Sequence, residues 1–487
     1  MHAPIVPLVL SLAIGYLVAA LCLRPGRRAV ASQAFAICLG AGAGLAITSG
    51  LAFVLLCGNL LSVRSLAGAE AGLVVALAGL YYAAWRRAAP QPAPSHSVPR
   101  AVLGRIGVWI VLAVYLGALV CGVLTWTGFA RPHGEWDAWA IWNLRARFLF
   151  RGLSQWHDAF SPFLPHADYP LLVPGSVLRT WLYMGEDATS GPLSVGFVLT
   201  FASVGVLTAG TALVRGASQG LLAGLLLLAT ETYVRQGALQ YADVPLSFFI
   251  LATVVLLSLA ASLPERKAGL YLLAGLAAGA AAWTKNEGMV FLVVVLAVLA
   301  LVRLVAGGFR DAIAAIAMFL LGAAPFVAMG AYFRLFVAPP NDPMLAQGAA
   351  AARAHLGELA RYRVILRGFG QALSNLGPGD LHPLILPGLY LACLGWNRDR
   401  PSVVNAATGG GVLLLMFGGY VAAYASTPND LDWHIRNSAH RLLVQVWPAF
   451  LFVLFTFARS PEQAASVVRL PRVAQSPPTR KRTPRKR

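Results

Sequence analysis

Long runs of apolar residues, broken at Gly, Pro and charged positions, follow one another along nearly the whole chain. A helix needs about 20 apolar residues to cross a membrane, and the runs predict thirteen such helices, of which the sixth and eleventh are short. The predicted fold class is therefore all-α, a polytopic integral membrane protein with about 13 transmembrane helices. The predicted spans are 4–23, 31–57, 68–85, 106–128, 191–213, 218–234, 240–261, 269–284, 288–306, 312–335, 381–396, 402–424 and 441–458.

The composition agrees with this interpretation. Hydrophobic residues make up 58% of the 487 residues and charged residues 12%, with a mean hydropathy of +0.68, which excludes a soluble multidomain protein. The first apolar run is followed by "RPGRR" and has no small-residue cleavage site, so we expect a transmembrane helix there and not a cleaved signal. The five cysteines lie in apolar stretches without the spacing of a disulfide framework or a zinc site.

Clusters of arginine and lysine occupy alternate connections between the predicted spans. By the positive-inside rule these connections face the cytoplasm, and the whole net charge of +19 then falls on that side. The basic character is explained by membrane topology, so we expect no nucleic-acid partner and a cytoplasmic C-terminus. The clusters are "RPGRR", Arg86 with Arg87, "PERK", "NRDR" and the final "RKRTPRKR".

The Pro/Ser-rich stretch "RRAAPQPAPSHSVPR" separates three helices from the other ten. We expect an N-terminal unit over 1–105, a catalytic core over 106–458, and a basic cytoplasmic tail over 459–487 that is disordered. Helical spacing over 139–153 and in "LGELARYRVILRGFGQAL" predicts amphipathic helices at the membrane interface. The extracytoplasmic loops of the core are 129–190, 336–380 and 425–440.

Ionisable residues gather at the extracytoplasmic ends of the spans. Charged groups at a bilayer boundary are costly to desolvate and often mark function, and Asp137 in "GEWDAWAIW" is the strongest case. The others have structural alternatives: Asp243 can cap a helix with Pro245 in its first turn, Lys285 and Glu287 can solvate a turn, and the tryptophans can form an interfacial belt. The remaining stretches are "HADYP", "LQYADVP", "WTKNEG" and "DLDWHIRNSAHR".

Taken together, these motifs resemble the GT-C superfamily of polyprenyl-phosphate-sugar glycosyltransferases. The resemblance covers about residues 106–458 and is closest to the bacterial branch related to protein O-mannosyltransferases and the lipid A aminoarabinose transferase. The chain departs from it in the Glu-x-Asp spacing and in the Asn-Glu that follows Thr-Lys in "TKNEG". The resemblance implies a GT-C type core with interfacial helices in its loops, a catalytic aspartate at Asp137, and a second acidic residue at Asp168, with Glu135 beside them.

From this we expect an inverting transferase in which Asp137 is the general base on an acceptor hydroxyl or amine. A phosphate leaving group needs fixed cations. No cofactor is required; a divalent metal is compatible with the chemistry, but no metal motif supports one. The predicted donor-phosphate ligands are Lys285, Arg441, Arg145 and Arg147, and the predicted substrate-binding residues are His166, Tyr169, Asp243, Glu287, Trp136, Trp139 and His434.

The expected partners are a polyprenyl-phosphate-linked sugar, the lipid bilayer, and a lipid, glycan or protein acceptor. The family points to the bacterial inner membrane, with the active site facing the periplasm. Three alternatives stay open: an envelope-glycan polymerase or ligase, a transporter or flippase, and a non-catalytic scaffold. A transporter is expected to place its charges near the bilayer midplane in two similar halves, and no such repeat is evident.

Overall fold

The computed structural model describes residues 4–23, 30–87, 105–339, 342–377 and 381–468. Within these ranges the chain is helical, with one isolated bridge between Trp396 and Ala458 and no strand, which confirms the all-α class. The α-helices are α1 (Ile5–Leu23), α2 (Val30–Cys57), α3 (Val63–Arg87), α4 (Arg105–Phe129), α5 (Asn143–Arg151), α6 (Leu172–Met184), α7 (Ser190–Arg215), α8 (Ala217–Leu228), α9 (Glu231–Ala238), α10 (Asp243–Ser262), α11 (Lys267–Thr284), α12 (Asn286–Gly307), α13 (Phe309–Phe336), α14 (Asp342–His355), α15 (Leu359–Ser374), α16 (Ile385–Leu394), α17 (Arg400–Ala425), α18 (Leu431–Phe457) and α19 (Pro461–Val468).

Ten helices of the described ranges are long and apolar enough to cross a membrane, so the chain is a polytopic membrane protein. They are α1, α2, α3, α4, α7, α10, α12, α13, α17 and α18. The other three predicted spans fall on α8, α11 and α16, which have 12, 18 and 10 residues. A helix of 12 residues rises only about 18 Å against a hydrocarbon core of about 30 Å. Ten spans are therefore supported, and the count of thirteen stays a prediction.

α10 lies at the centre of the bundle. Its sequence is apolar on every side, which is typical of a helix surrounded by protein, and 94% of its span is buried. It packs against α11, α18, α7 and α17. The first residue of this central helix is Asp243, so the fold places a carboxylate at the end of the most buried element.

Small residues allow neighbouring helices to approach closely. A Cβ on Gly275 of α11 would lie 1.8 Å from the carbonyl oxygen of Phe319 in α13, so only glycine fits there. Close backbone packing of this kind drives helix association in membranes, where burial of apolar surface contributes little. α11 and α13 are thereby fixed side by side, and both contribute to the end of the bundle where the ionisable residues lie.

The first three helices pack on the rest of the chain. α2 contacts α6 and α7, and α1 contacts α11. Ser49 of α2 donates a hydrogen bond to the Leu172 carbonyl of α6 at 2.9 Å, and Glu70 of α3 forms a buried ion pair with Arg179 of α6. The linker used to place a domain boundary at residue 105, residues 86–100, lies outside the described residues except for Arg86 and Arg87, and that boundary stays a prediction.

Helices fill much of the predicted extracytoplasmic loops. The amphipathic helix expected in the second loop is confirmed as α15. The third predicted loop, 425–440, is partly helical, because α18 begins at Leu431, where the carboxylate of Asp430 accepts a hydrogen bond from the Trp433 N–H at 2.8 Å. Disorder over the whole tail is also wrong, since α19 covers 461–468; residues 469–487 lie outside the described ranges.

Candidate functional site

The segment that carries Asp137 is fastened to the chain just before α10. Asn143 donates a hydrogen bond to the side-chain oxygen of Gln240 at 2.8 Å, and Gln240 donates in turn to the Arg131 carbonyl at 2.7 Å. Gly134 has φ +71°, and a Cβ there would lie 2.7 Å from the Leu239 carbonyl oxygen, so the turn requires glycine. Asp137 is therefore held beside Asp243, although 106 positions separate them in the sequence.

Asp243 is the centre of the polar cluster. Its carboxylate is fully buried and accepts hydrogen bonds from Lys285 Nζ at 2.9 Å, Arg441 Nε at 2.8 Å and Gln445 Nε2 at 2.6 Å. Three donors, two of them cationic, offset the cost of removing the carboxylate from water. The capping interpretation of Asp243 is wrong, because the N-cap position is Ala242 and no side-chain cap is formed.

The ion pairs continue beyond Asp243 in both directions. Arg441 also donates to Asp137 through Nη2, and Lys285 lies 2.9 Å from Glu287. The order Asp137, Arg441, Asp243, Lys285, Glu287 alternates in charge, and we call these five side chains the charge network. With three acids and two bases its formal charge is one negative. Asp243 and Lys285 are buried, whereas the side chains of Asp137, Arg441 and Glu287 are 14%, 15% and 25% exposed, so both ends of the network are partly open to solvent.

Helix geometry explains why these residues meet. Arg441 and Gln445 are four residues apart on α18, so both side chains point to the same neighbour. Tyr420 of α17 donates to the Gln445 side-chain oxygen at 2.9 Å, which turns the Gln445 amino group toward Asp243. Lys285 lies in the extended connection between α11 and α12, which returns the chain to the level of Asp243.

Lys285 remains a cation in this setting. Burial lowers the pKa of a lysine, but the negative charges of Asp243 and Glu287 outweigh that effect, and the pKa of Lys285 lies above its ordinary value. The interpretation of Lys285 and Glu287 as a solvated turn is wrong for Lys285, whose side chain is buried.

The predicted second acidic residue, Asp168, lies next to the charge network without contacting it directly. Its carboxylate accepts a hydrogen bond from Asn286 at 2.9 Å, and Asn286 follows Lys285 in the chain. Tyr169 stacks on the ring of Trp142 at 5.4 Å and on that of His166 at 4.4 Å. The "HADYP" stretch thus packs beside the charge network.

Arg145 and Arg147 do not have the surroundings of phosphate ligands. The terminal nitrogens of Arg145 donate to backbone carbonyls, with the shortest bond to His166 at 2.7 Å. These hydrogen bonds stabilise the backbone of the loop that carries His166. Burial lowers the pKa of Arg145 to about 10, which leaves it charged at neutral pH. Arg147 pairs at 2.8 Å with Asp187, which is not a member of the charge network. The structure does not bring either arginine into the charge network, and their assignment as donor-phosphate ligands stays a prediction without support from these contacts.

The tryptophans divide into two groups. Trp136 and Trp139 are half exposed and meet edge to face at 6.0 Å, as side chains at a membrane interface would. Trp142 is fully buried, so the interpretation of the tryptophans as an interfacial belt does not hold for it. Asn143, the next residue, is buried as well.

Two further predicted site residues, like those of the preceding paragraphs, lie outside the charge network. Glu135 pairs with Arg131 at the surface. The His434 ring is hydrogen-bonded to the Thr427 hydroxyl at 2.9 Å and packs against Tyr424. Sequence reasoning missed Gln445 and Tyr420; the spacing of four residues between Arg441 and Gln445 is a signal that could have identified Gln445.

No group of three or more His, Cys, Asp or Glu side chains suited to a metal occurs in the described part of the chain. Comparison with protein-family models, with curated proteins and with solved structures gives no match to this chain. The function is therefore inferred from the geometry of the charge network and from the sequence motifs.

Proposed function

We propose that this protein is a membrane glycosyltransferase that moves a sugar from a polyprenyl-phosphate donor to a lipid, glycan or protein acceptor outside the cytoplasm. The observation that carries the proposal is the position of Asp137. Its carboxylate is a partly exposed end of a set of alternating charges centred on the buried Asp243, at the ends of membrane helices and beside exposed tryptophans. A carboxylate that is positioned by a buried network yet open to a substrate has the properties of a general base.

The reaction is a single displacement. An acceptor oxygen or nitrogen attacks the anomeric carbon, the bond from that carbon to the phosphate oxygen breaks, and the acceptor proton passes to Asp137. Polyprenyl phosphate leaves with the bonding electron pair, and inversion at the anomeric carbon follows. Cations beside the leaving phosphate stabilise its developing charge.

Asp137 and Arg441 are paired in this structure. This contact occupies one carboxylate oxygen of Asp137, so that oxygen becomes available to the acceptor proton only when the contact lengthens. A phosphate that approaches Arg441 competes with Asp137 for its guanidinium. The hydrogen bond from Arg441 Nε to Asp243 can remain in place during this exchange. Arg441 is in this way a positioning residue that can exchange one partner without leaving the site.

The direct test is transfer by purified protein in detergent, with a panel of polyprenyl-phosphate sugars and an envelope extract as acceptor. We expect turnover by the wild type and its loss in Asp137→Asn. Asp158→Asn removes an exposed acid from the same loop and is the matched control. Turnover that survives Asp137→Asn but is lost in Glu135→Gln or Asp168→Asn would assign the base elsewhere.

Two further measurements separate the alternatives. Product size distinguishes the transfer of one sugar from the polymerisation or ligation of a preassembled chain. Uptake in proteoliposomes tests for a transporter or flippase, and uptake without any transfer would refute the transferase proposal.

A further inference from the structure

The two cations of the charge network are already committed to carboxylates. Lys285 contacts Asp243 and Glu287, and Arg441 contacts Asp243 and Asp137. A donor phosphate would have to share either cation with carboxylates that already neutralise its charge. Because the network is negative overall, it favours the departure of an anionic product more than it favours the first capture of an anionic donor.

Arg334 has a different environment. It lies in the last turn of α13, is exposed, and donates through Nη2 to the side-chain oxygen of Asn286 at 2.5 Å. Asn286 uses its amino group to donate to Asp168, so its orientation is fixed. None of the ion pairs formed by the described residues includes Arg334. Its cationic group is anchored by a neutral amide and is not neutralised by these residues.

The position of Arg334 suits a phosphate that carries a long apolar chain. The next two residues, Leu335 and Phe336, are 75% and 71% exposed at the end of a membrane span. An isoprenoid chain can lie along this apolar surface while its phosphate reaches the guanidinium. Asn286 and Lys285 are consecutive, so a phosphate on Arg334 lies at the edge of the charge network.

We propose that Arg334 is the residue that first binds the phosphate of the lipid-linked donor, an inference that rests on the proposed function. A guanidinium offers several donors in one plane and binds phosphate through two of them. The bond to Asn286 occupies one terminal nitrogen and leaves the others for the ligand. The same chemistry could serve a bulk anionic phospholipid, since arginines at helix ends commonly reach lipid headgroups.

The test is equilibrium binding to purified protein in neutral detergent, independent of any transfer. Polyprenyl monophosphate, phosphatidylglycerol and inorganic phosphate are titrated separately into the wild type, Arg334→Gln, Arg334→Lys and Arg363→Gln. Arg363 is an exposed arginine on α15 and gives a matched loss of charge. Thermal unfolding of each variant without ligand checks that all four proteins are equally folded.

We expect the wild type to prefer polyprenyl monophosphate to the other two ligands. Arg334→Gln should weaken that binding about tenfold to hundredfold, the size expected for a lost charge-assisted hydrogen bond. Arg334→Lys should recover part of the affinity, and Arg363→Gln should leave it unchanged.

Equal affinity in Arg334→Gln and wild type would overturn the assignment, even if sugar transfer is detected. An equal loss in Arg363→Gln, or no preference for polyprenyl monophosphate over phosphatidylglycerol, would overturn it as well, because Arg334 would then be a general contact for anionic lipid. Selective binding that depends on Arg334 supports the assignment even if transfer fails, and in that case the proposed chemistry alone is refuted.

Discussion

Two sets of buried charges in this protein have different designs. The pair of Glu70 and Arg179, between α3 and α6, is closed: both side chains are fully buried, and Tyr183 donates to the same carboxylate at 2.8 Å. The charge network has an odd number of members, and its terminal carboxylates reach the surface. A closed pair can only hold helices together, whereas an open network can exchange a terminal partner for a ligand. The difference separates structural charge from candidate functional charge.

The largest stability effect is expected at the closed pair. Glu70→Gln leaves Arg179 as a buried unpaired cation and should lower the free energy of unfolding by about 3–5 kcal/mol. Replacing both residues, with Glu70→Leu and Arg179→Met, should recover much of the loss, because no isolated charge remains. Denaturant titration of the purified proteins in mixed micelles measures both values. A double variant no more stable than Glu70→Gln would contradict the account.

A smaller effect is expected when the centre of the charge network is neutralised. Asp243→Asn should cost about 1–3 kcal/mol of unfolding free energy, because Arg441 and Lys285 keep Asp137 and Glu287 as partners. Transfer should fall as well, since Arg441 is no longer fixed in place. The same denaturant titration, with Asp158→Asn as control, measures the stability change. A loss as large as that of Glu70→Gln would mean that the network is also closed.

The pH dependence of the stability that Lys285 contributes also distinguishes the charge network from the closed pair. Its pKa in the folded state lies above the ordinary value of 10.5, so its contribution to stability is fully present below that value and is lost only as pH rises through the folded pKa. The difference in unfolding free energy between wild type and Lys285→Met should therefore be equal at about pH 6 and about pH 9. A difference that shrinks over this window would indicate that Lys285 is already losing its proton.

The smallest effect is expected at the open end of the network. Glu287→Gln removes a partly exposed partner of Lys285 and should cost only about 0.2–1 kcal/mol, because solvent screens the pair. Thermal unfolding in detergent, compared with Asp243→Asn, gives the ranking. A larger loss than that of Asp243→Asn would place the structural centre of the network at Glu287.

Much of the fold can be predicted from the sequence, because apolar runs of membrane length report helices directly. The start of α18 was missed for a physical reason. Its first turns carry Asp432, His434 and Arg436, which resemble a polar loop. Asp430 nevertheless caps a helix there, and some residues of the helix's first turns are buried against the protein. A helix that begins in the polar layer leaves no hydrophobic signal in those turns.

The candidate site could be predicted only in part. Asp137, Asp243, Lys285 and Arg441 were all selected from charges at span ends, and the structure brings them together. Charge alone could not separate Arg145, which supports a loop through backbone carbonyls, from a cation that faces a ligand.

Gln445 and Arg334 were not predicted from the sequence, for different reasons. Gln445 is uncharged and lies within an apolar run, and Arg334 resembles an ordinary arginine at a helix end. Their roles depend on partners distant in the sequence, Asp243 and Asn286, which only the folded arrangement identifies.

The most direct test of the central claim is a single-turnover measurement with donor already bound. Wild type and Asp137→Asn are saturated with a polyprenyl-phosphate sugar that the wild type uses, mixed with acceptor, and followed for product, while donor affinity is measured separately. The account predicts that Asp137→Asn binds the donor as the wild type does but transfers about 10² to 10⁴ times more slowly, the usual contribution of a general base. Unchanged single-turnover transfer in Asp137→Asn would contradict it.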